Sequence, residues 1–123
     1  MMNDPNEIAA VRKVIEQYVE GSKGNVETLQ AIFHSEARMT GYIGADLMVG
    51  TPQPFFDAVK SVVTPELATT YKAEIQSIEV VGQAATATLV ESGFAGNDYT
   101  DFFQLIRQDG NWLIISKTFH QES

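Results

Sequence analysis

An α+β fold follows from three features of the chain. The first half repeats apolar residues at helical spacing behind cap-and-proline starts, the second half runs in β-rich stretches, and the last two of those stretches flank Asp109-Gly110, a strong hairpin signal. At 123 residues the chain suits one domain, 1–123, with enough length to bury a core unaided by metal or disulfide.

The elements read in order. Asp4 caps the first helix, Pro5 takes its first position and Glu7 lies three residues after the cap. Ile8, Val11, Val14, Ile15, Tyr18 and Val19 form its apolar stripe, and Gly21 and Gly24 end it. Asn25 caps a shorter helix with Val26, Leu29, Ile32 and Phe33 on its buried side, and His34 falls at or just past its end. Arg38–Ile43 and Leu47–Val49 read as an early hairpin around Gly44-Ala-Asp46. Thr51-Pro52 opens a third helix, carrying Phe55, Phe56, Val59, Val62 and Val63, which Pro65 ends. Four strands then follow as a meander: about Tyr71 to Val81, Ala84 to Ser92, Tyr99 to Arg107 and Trp112 to His120.

The turn at Asp109-Gly110 decides which residues share a face, because a one-residue shift exchanges the two faces of a strand. A two-residue loop opposes Asp101 to Thr118 and puts Asp101 and Lys117 on opposite faces. A three-residue loop, Gln108-Asp109-Gly110, sets Asp101 directly opposite Lys117. A buried charge is costly unless paired, so the three-residue loop is expected. One face then collects Tyr99, Asp101, Phe103, Leu105, Leu113, Ile115, Lys117 and Phe119. Phe102, Ile106, Trp112 and Ile114 fall on the other, an apolar outer surface suited to a homodimer.

Composition narrows the partners. Sixteen acids against eight Lys and Arg give a net charge of −8, with no basic stripe for nucleic acid or an anionic membrane. The chain has no cysteine, and its start shows no basic segment followed by an apolar run, so a cytoplasmic protein is expected. Two histidines without close acidic spacing argue against a dedicated metal site, and no phosphate-loop or nucleophile motif occurs. No cofactor is expected.

Several short pieces together resemble the nuclear transport factor 2-like superfamily, in its putative lumazine-binding (SnoaL-like) branch. They are Phe33-His34-x-x-Ala37, Gly41, Tyr99-Thr100-Asp101 and Asp109-Gly110-x-Trp112-x-Ile114-x-x-Lys117. The resemblance spans nearly the whole chain. It implies a cystatin-like cone, a strongly curved antiparallel sheet wrapped around three N-terminal helices, and a homodimer. In such a cone Asp101 and Lys117 line a cavity with Tyr18, Tyr42, Phe55, Phe103 and Phe119, a small-molecule pocket with aromatic walls. The plainer alternative is that the aromatics fill the core and the charges form a structural pair.

Related enzymes (dehydratases, ketosteroid isomerases, polyketide cyclases) use His, Asp or Tyr as acid and base. His34 could shuttle a proton, Asp101 accept one, and Tyr42 or Tyr18 donate to an oxyanion. Alternatively, His34 serves only the carboxyl end of the second helix. The expected function is a homodimeric binder of a small, partly apolar ligand. An acid–base enzyme and a non-catalytic association module are the alternatives.

Overall fold

The structure is a computed structural model that describes residues 3–122. Helix α1 (Pro5–Gly21) starts as its sequence dictates: the Asp4 side chain accepts from the Asn6 N–H at 2.8 Å and Pro5 fills the first turn. Val11, Val14, Ile15 and Tyr18 face the core. Asn25 caps α2 (Val26–Ile32), its Oδ1 accepting from Thr28 at 3.3 Å. Strands β1 (Phe33–Ile43) and β2 (Asp46–Gly50) form the early hairpin, and α3 (Gln53–Ser61) follows.

A fourth helix, α4 (Pro65–Thr70), lies where the sequence reading saw only a stop. Thr64 caps it, its Oγ1 accepting from Leu67 at 3.1 Å. Its six residues bury none of their side chains, so it has no apolar stripe to detect. Helix α3 stops at Ser61, short of Pro65, and the proline opens α4 instead of ending α3.

The meander β3 (Lys72–Val81), β4 (Ala84–Phe94), β5 (Asn97–Gln108) and β6 (Asn111–Glu122) completes a six-stranded, curved and unclosed sheet in the order β2-β1-β6-β5-β4-β3. Its one parallel contact, β1 with β6, joins the hairpin to the meander. The helices cover the concave face, and the core lies between. Among the described residues, no helix is long and apolar enough to cross a membrane.

The β5–β6 hairpin departs from the expected register. Gln108 opposes Asn111 across a two-residue turn, Asp109 (φ 52°) and Gly110 (φ 81°), both in the left-handed region this tight turn requires. The odd residue sits instead within β6: Gln104 pairs with Ser116 but Leu105 with Ile114, leaving Ile115 as a β-bulge. The three-residue loop was inferred by assuming unbroken alternation along β6, and the bulge breaks it. Asp101 therefore opposes Phe119 and Lys117 opposes Phe103, so the two charges share a face as diagonal neighbours. Trp112 and Ile114 are buried in the core, not on the outer surface expected for them.

Gly41 marks the tightest point of the sheet. A Cβ there would lie 2.3 Å from the Phe119 carbonyl oxygen and 2.6 Å from its ring. Gly50, by contrast, faces open space. Gly41→Ala should therefore destabilise the protein by about 1–3 kcal/mol through overpacking, whereas Gly50→Ala stays within about 0.5 kcal/mol of the parent. Thermal melts of the two variants side by side check this.

Candidate functional site

The wide end of the sheet and α3 enclose a cavity of about 190 Å³. Met39, Met48, Phe55, Phe94 and Phe119 supply most of its apolar wall. Three polar side chains reach it: Glu91 from β4, Tyr99 from β5 and Lys117 from β6. Each stands at an inward position of its strand, because the bulge at Ile115 restores the inward parity for Lys117 and Phe119.

Lys117 is the centre of the polar end. Its ammonium donates to the Tyr18 hydroxyl at 2.5 Å and lies 3.9 Å from Asp101 Oδ1, too long for a hydrogen bond but close for a buried ion pair. Nζ also sits over the Phe55 ring at 4.2 Å, with Tyr18 at 5.0 Å and Phe119 at 5.3 Å. Three aromatic faces and a carboxylate thus hold one cation. An ammonium has three donors, and Tyr18 takes one.

Two carboxyl groups share this region. Asp101 is wholly buried and Glu91 is 3% exposed. The Tyr71 hydroxyl, at the end of α4, donates to Glu91 Oε2. Neither oxygen of Asp101 has a hydrogen-bond donor among the described residues while both acids are ionised. Burial pushes the Glu91 carboxyl well above the usual carboxylate range, and the adjoining Asp101 carboxyl pushes it further, against the opposing pull of Lys117 and the Tyr71 hydroxyl. A proton kept on Glu91 supplies the donor that Asp101 lacks. Burial, then the charge of Glu91, also raises Tyr18, Tyr71 and Tyr99, so all three stay phenols at neutral pH.

The expected site residues divide into those the cavity gathers and those it does not. Lys117, Phe55 and Phe119 line it. Asp101 and Tyr18 lie directly behind, touching Lys117. Phe103 is packed deeper, edge-on to Tyr18 at 4.8 Å between ring centroids. Tyr42 is 51% exposed: Met39 and Gly41 take the buried positions of β1, which turns Tyr42 outward. His34 borders a separate groove with Pro52 and Gln53. Its Nδ1 accepts from the Glu36 N–H at 2.9 Å and its Nε2 meets Gln108 Oε1 at 3.1 Å, so both ring nitrogens serve the local fold. Glu91 and Phe94 escaped the sequence reading, while Tyr99 was placed on the inner face but not counted among the ligand-binding residues. Glu91 was visible in principle, since it continues the inward series Ala85, Ala87, Leu89. Among the described residues, no three His, Cys, Asp or Glu side chains group to hold a metal ion.

Two outcomes test this electrostatic picture. Lys117→Met strands a buried carboxylate and should cost about 3–5 kcal/mol, while combining it with Asp101→Asn should fall about 1–3 kcal/mol short of the summed single losses. Denaturant melts of the four proteins close that cycle. The second outcome concerns pH. Glu91 binds its proton more tightly folded than unfolded, so its contribution to stability is full below its ordinary value of 4.5 and is lost as pH rises through the raised folded value. Glu91→Gln should therefore gain on the parent as pH rises above about 4.5, by at most about 1.4 kcal/mol per pH unit.

Comparison with known proteins follows the same geometry. The model of a family described as putative lumazine-binding matches residues 6–120. A relative from Cladobotryum sp, named aldolase FrzH, is 32% identical over 105 residues, 84% of this chain and 82% of that protein. An NTF2-like protein of unknown function from Shewanella baltica superposes with a TM-score of 0.85 at 32% identity, covering 96% of this chain and 95% of that one. One from Methylobacillus flagellatus reaches 0.89 at 27% identity, covering 98% and 95%. The chain belongs to the putative lumazine-binding family, within the NTF2-like proteins.

Proposed function

We propose that this member of the putative lumazine-binding family binds a small, mostly apolar molecule bearing one acceptor oxygen, with that oxygen at the Lys117 ammonium. The observation that carries the reading is a buried lysine, 4% exposed, that nonetheless lines an apolar cavity. A dry cavity of about 150 Å³ takes benzene, so about 190 Å³ suits a single ring with a short substituent. A neutral ligand fits best, because the cluster is already balanced when one proton is shared between Glu91 and Asp101.

A second reading is favoured by the relative named an aldolase. An aldol step makes or breaks a carbon–carbon bond beside a carbonyl, by way of an enolate whose oxygen needs a positive partner. The same cavity then serves chemistry rather than binding alone.

The partner we propose is a second copy of the chain, docked through the outer sheet face. Register places Thr40, Thr118, Phe102 and Thr88 in one row across β1, β6, β5 and β4, and Tyr42, His120, Thr100 and Val90 in the next. Phe102 is 52% exposed and Val90 40%, so this surface leaves large apolar groups in water.

Native mass spectrometry of freshly purified protein should show a dimer carrying a discrete extra mass that Lys117→Met does not retain. A bare protein that also gives no saturation-transfer signal with acetophenone would sink the binding reading. Phe102→Asp should shift the dimer to monomer in analytical ultracentrifugation, and a parent that sediments as a monomer at micromolar concentration would exclude the interface.

A further inference from the structure

We propose that Glu91 is the proton-transferring residue of the cavity. Together with Asp101 it forms a carboxyl pair holding one proton, and it takes a proton from the carbon beside the carbonyl of a small neutral ketone or aldehyde whose oxygen Lys117 holds. This rests on the enzymatic reading above and deepens it.

Three placements support it. Glu91 is the one acid of the pair that borders the cavity, while Asp101 stands behind it with no route of its own to a ligand. Neither Asp101 oxygen has a hydrogen-bond partner among the described residues, and a proton shared with Glu91 supplies one donor. Lys117 lies 3.9 Å from Asp101 and gives only one of its three donors to Tyr18, which leaves it free to face both the pair and a ligand oxygen.

Charge decides the rest. The groups facing Glu91 are Asp101 and Tyr99 on β5, Lys117 on β6, Tyr71 at the end of α4 and Tyr18 on α1. The tyrosines are phenols, so two acids face one cation. With one proton on the pair the site is neutral before reaction. When that proton sits on Asp101, Glu91 is a carboxylate bordering the cavity. It removes the proton from the substrate carbon, the C–H electron pair becomes the enolate, and the carbonyl oxygen takes the negative charge beside Lys117. Both acids are then protonated and the site is neutral again. One ammonium neutralises the carboxyl pair before the step and the enolate after it, so no net charge is created in a cavity with largely apolar walls. Reversal returns the proton to carbon. Asp101 is a positioning residue here, since it acts through Glu91.

The experiment uses phenylacetone, acetophenone and cyclohexanone as probes in deuterated water. Proton NMR follows exchange at the carbon beside the carbonyl, and saturation transfer on the same samples reports binding. Protein-dependent exchange is expected for at least one probe, rising with pH through a single titration. Glu91→Gln should lower it by about 100-fold or more while keeping the saturation-transfer signal. Exchange within about threefold of the parent in Glu91→Gln would overturn the assignment. A probe that binds without exchanging would overturn the proton transfer and leave the binding reading standing. Absence of binding by all three would overturn both. The infrared carbonyl stretch of the parent at neutral pH is a second measurement that needs no variant: a protonated buried carboxyl is expected, and two ionised carboxylates would refute the pair.

Discussion

A single extra residue in β6 governs what the inside of this molecule can be. With unbroken alternation, either Trp112 and Ile114 or Lys117 and Phe119 would face the core, never both sets. The bulge at Ile115 changes parity between them, so the turn end of the strand contributes packing and the other end contributes an anchored cation. The closed core and the polar end of the cavity thus come from one strand. Bulges often re-aim side chains beside functional sites, and here the re-aimed side chain is the only buried cation among the described residues.

The cation then constrains its surroundings. A buried ammonium needs compensation, and the chain surrounds it with three rings, a phenol oxygen and two acids rather than with one tight ion pair. Two acids against one base over-correct, and a proton restores the balance. The arrangement is less stable than a well-packed apolar core would be.

Much of the fold was legible because local chemistry and global packing agree. Asp4-Pro5, Asn25 and the apolar stripe of α1 acted in the folded chain as they read in sequence. The Asp109-Gly110 hairpin was equally clear, but its loop length was not, since a bulge leaves no fixed signature when both flanking parities are apolar: Trp112-Leu113-Ile114-Ile115 reads as hydrophobic either way. Helix α4 was silent for the opposite reason, having a cap but no buried stripe. In the site, Asp101 and Lys117 stood out as charges inside apolar strands. Glu91 did not, because Glu91-Ser92-Gly93 resembles the polar start of a turn and masks the inward series Ala85, Ala87, Leu89 that it continues. His34 drew notice by its expected place near the mouth of the cone, and in the structure its Nδ1 accepts from the Glu36 N–H.

The two ends of the cavity differ in how they are built. Its charged floor comes from β4, β5 and β6, long central strands that pair on both sides. Its rim comes from Met48 on the five-residue edge strand β2, from Pro54 and Ala58 on the nine-residue α3, and from Ala95 in the β4–β5 turn. Substitution at such peripheral positions disturbs few backbone partners. Within a family of this design, the aperture can drift toward new molecules over evolutionary time while the charged floor beneath it stays unchanged.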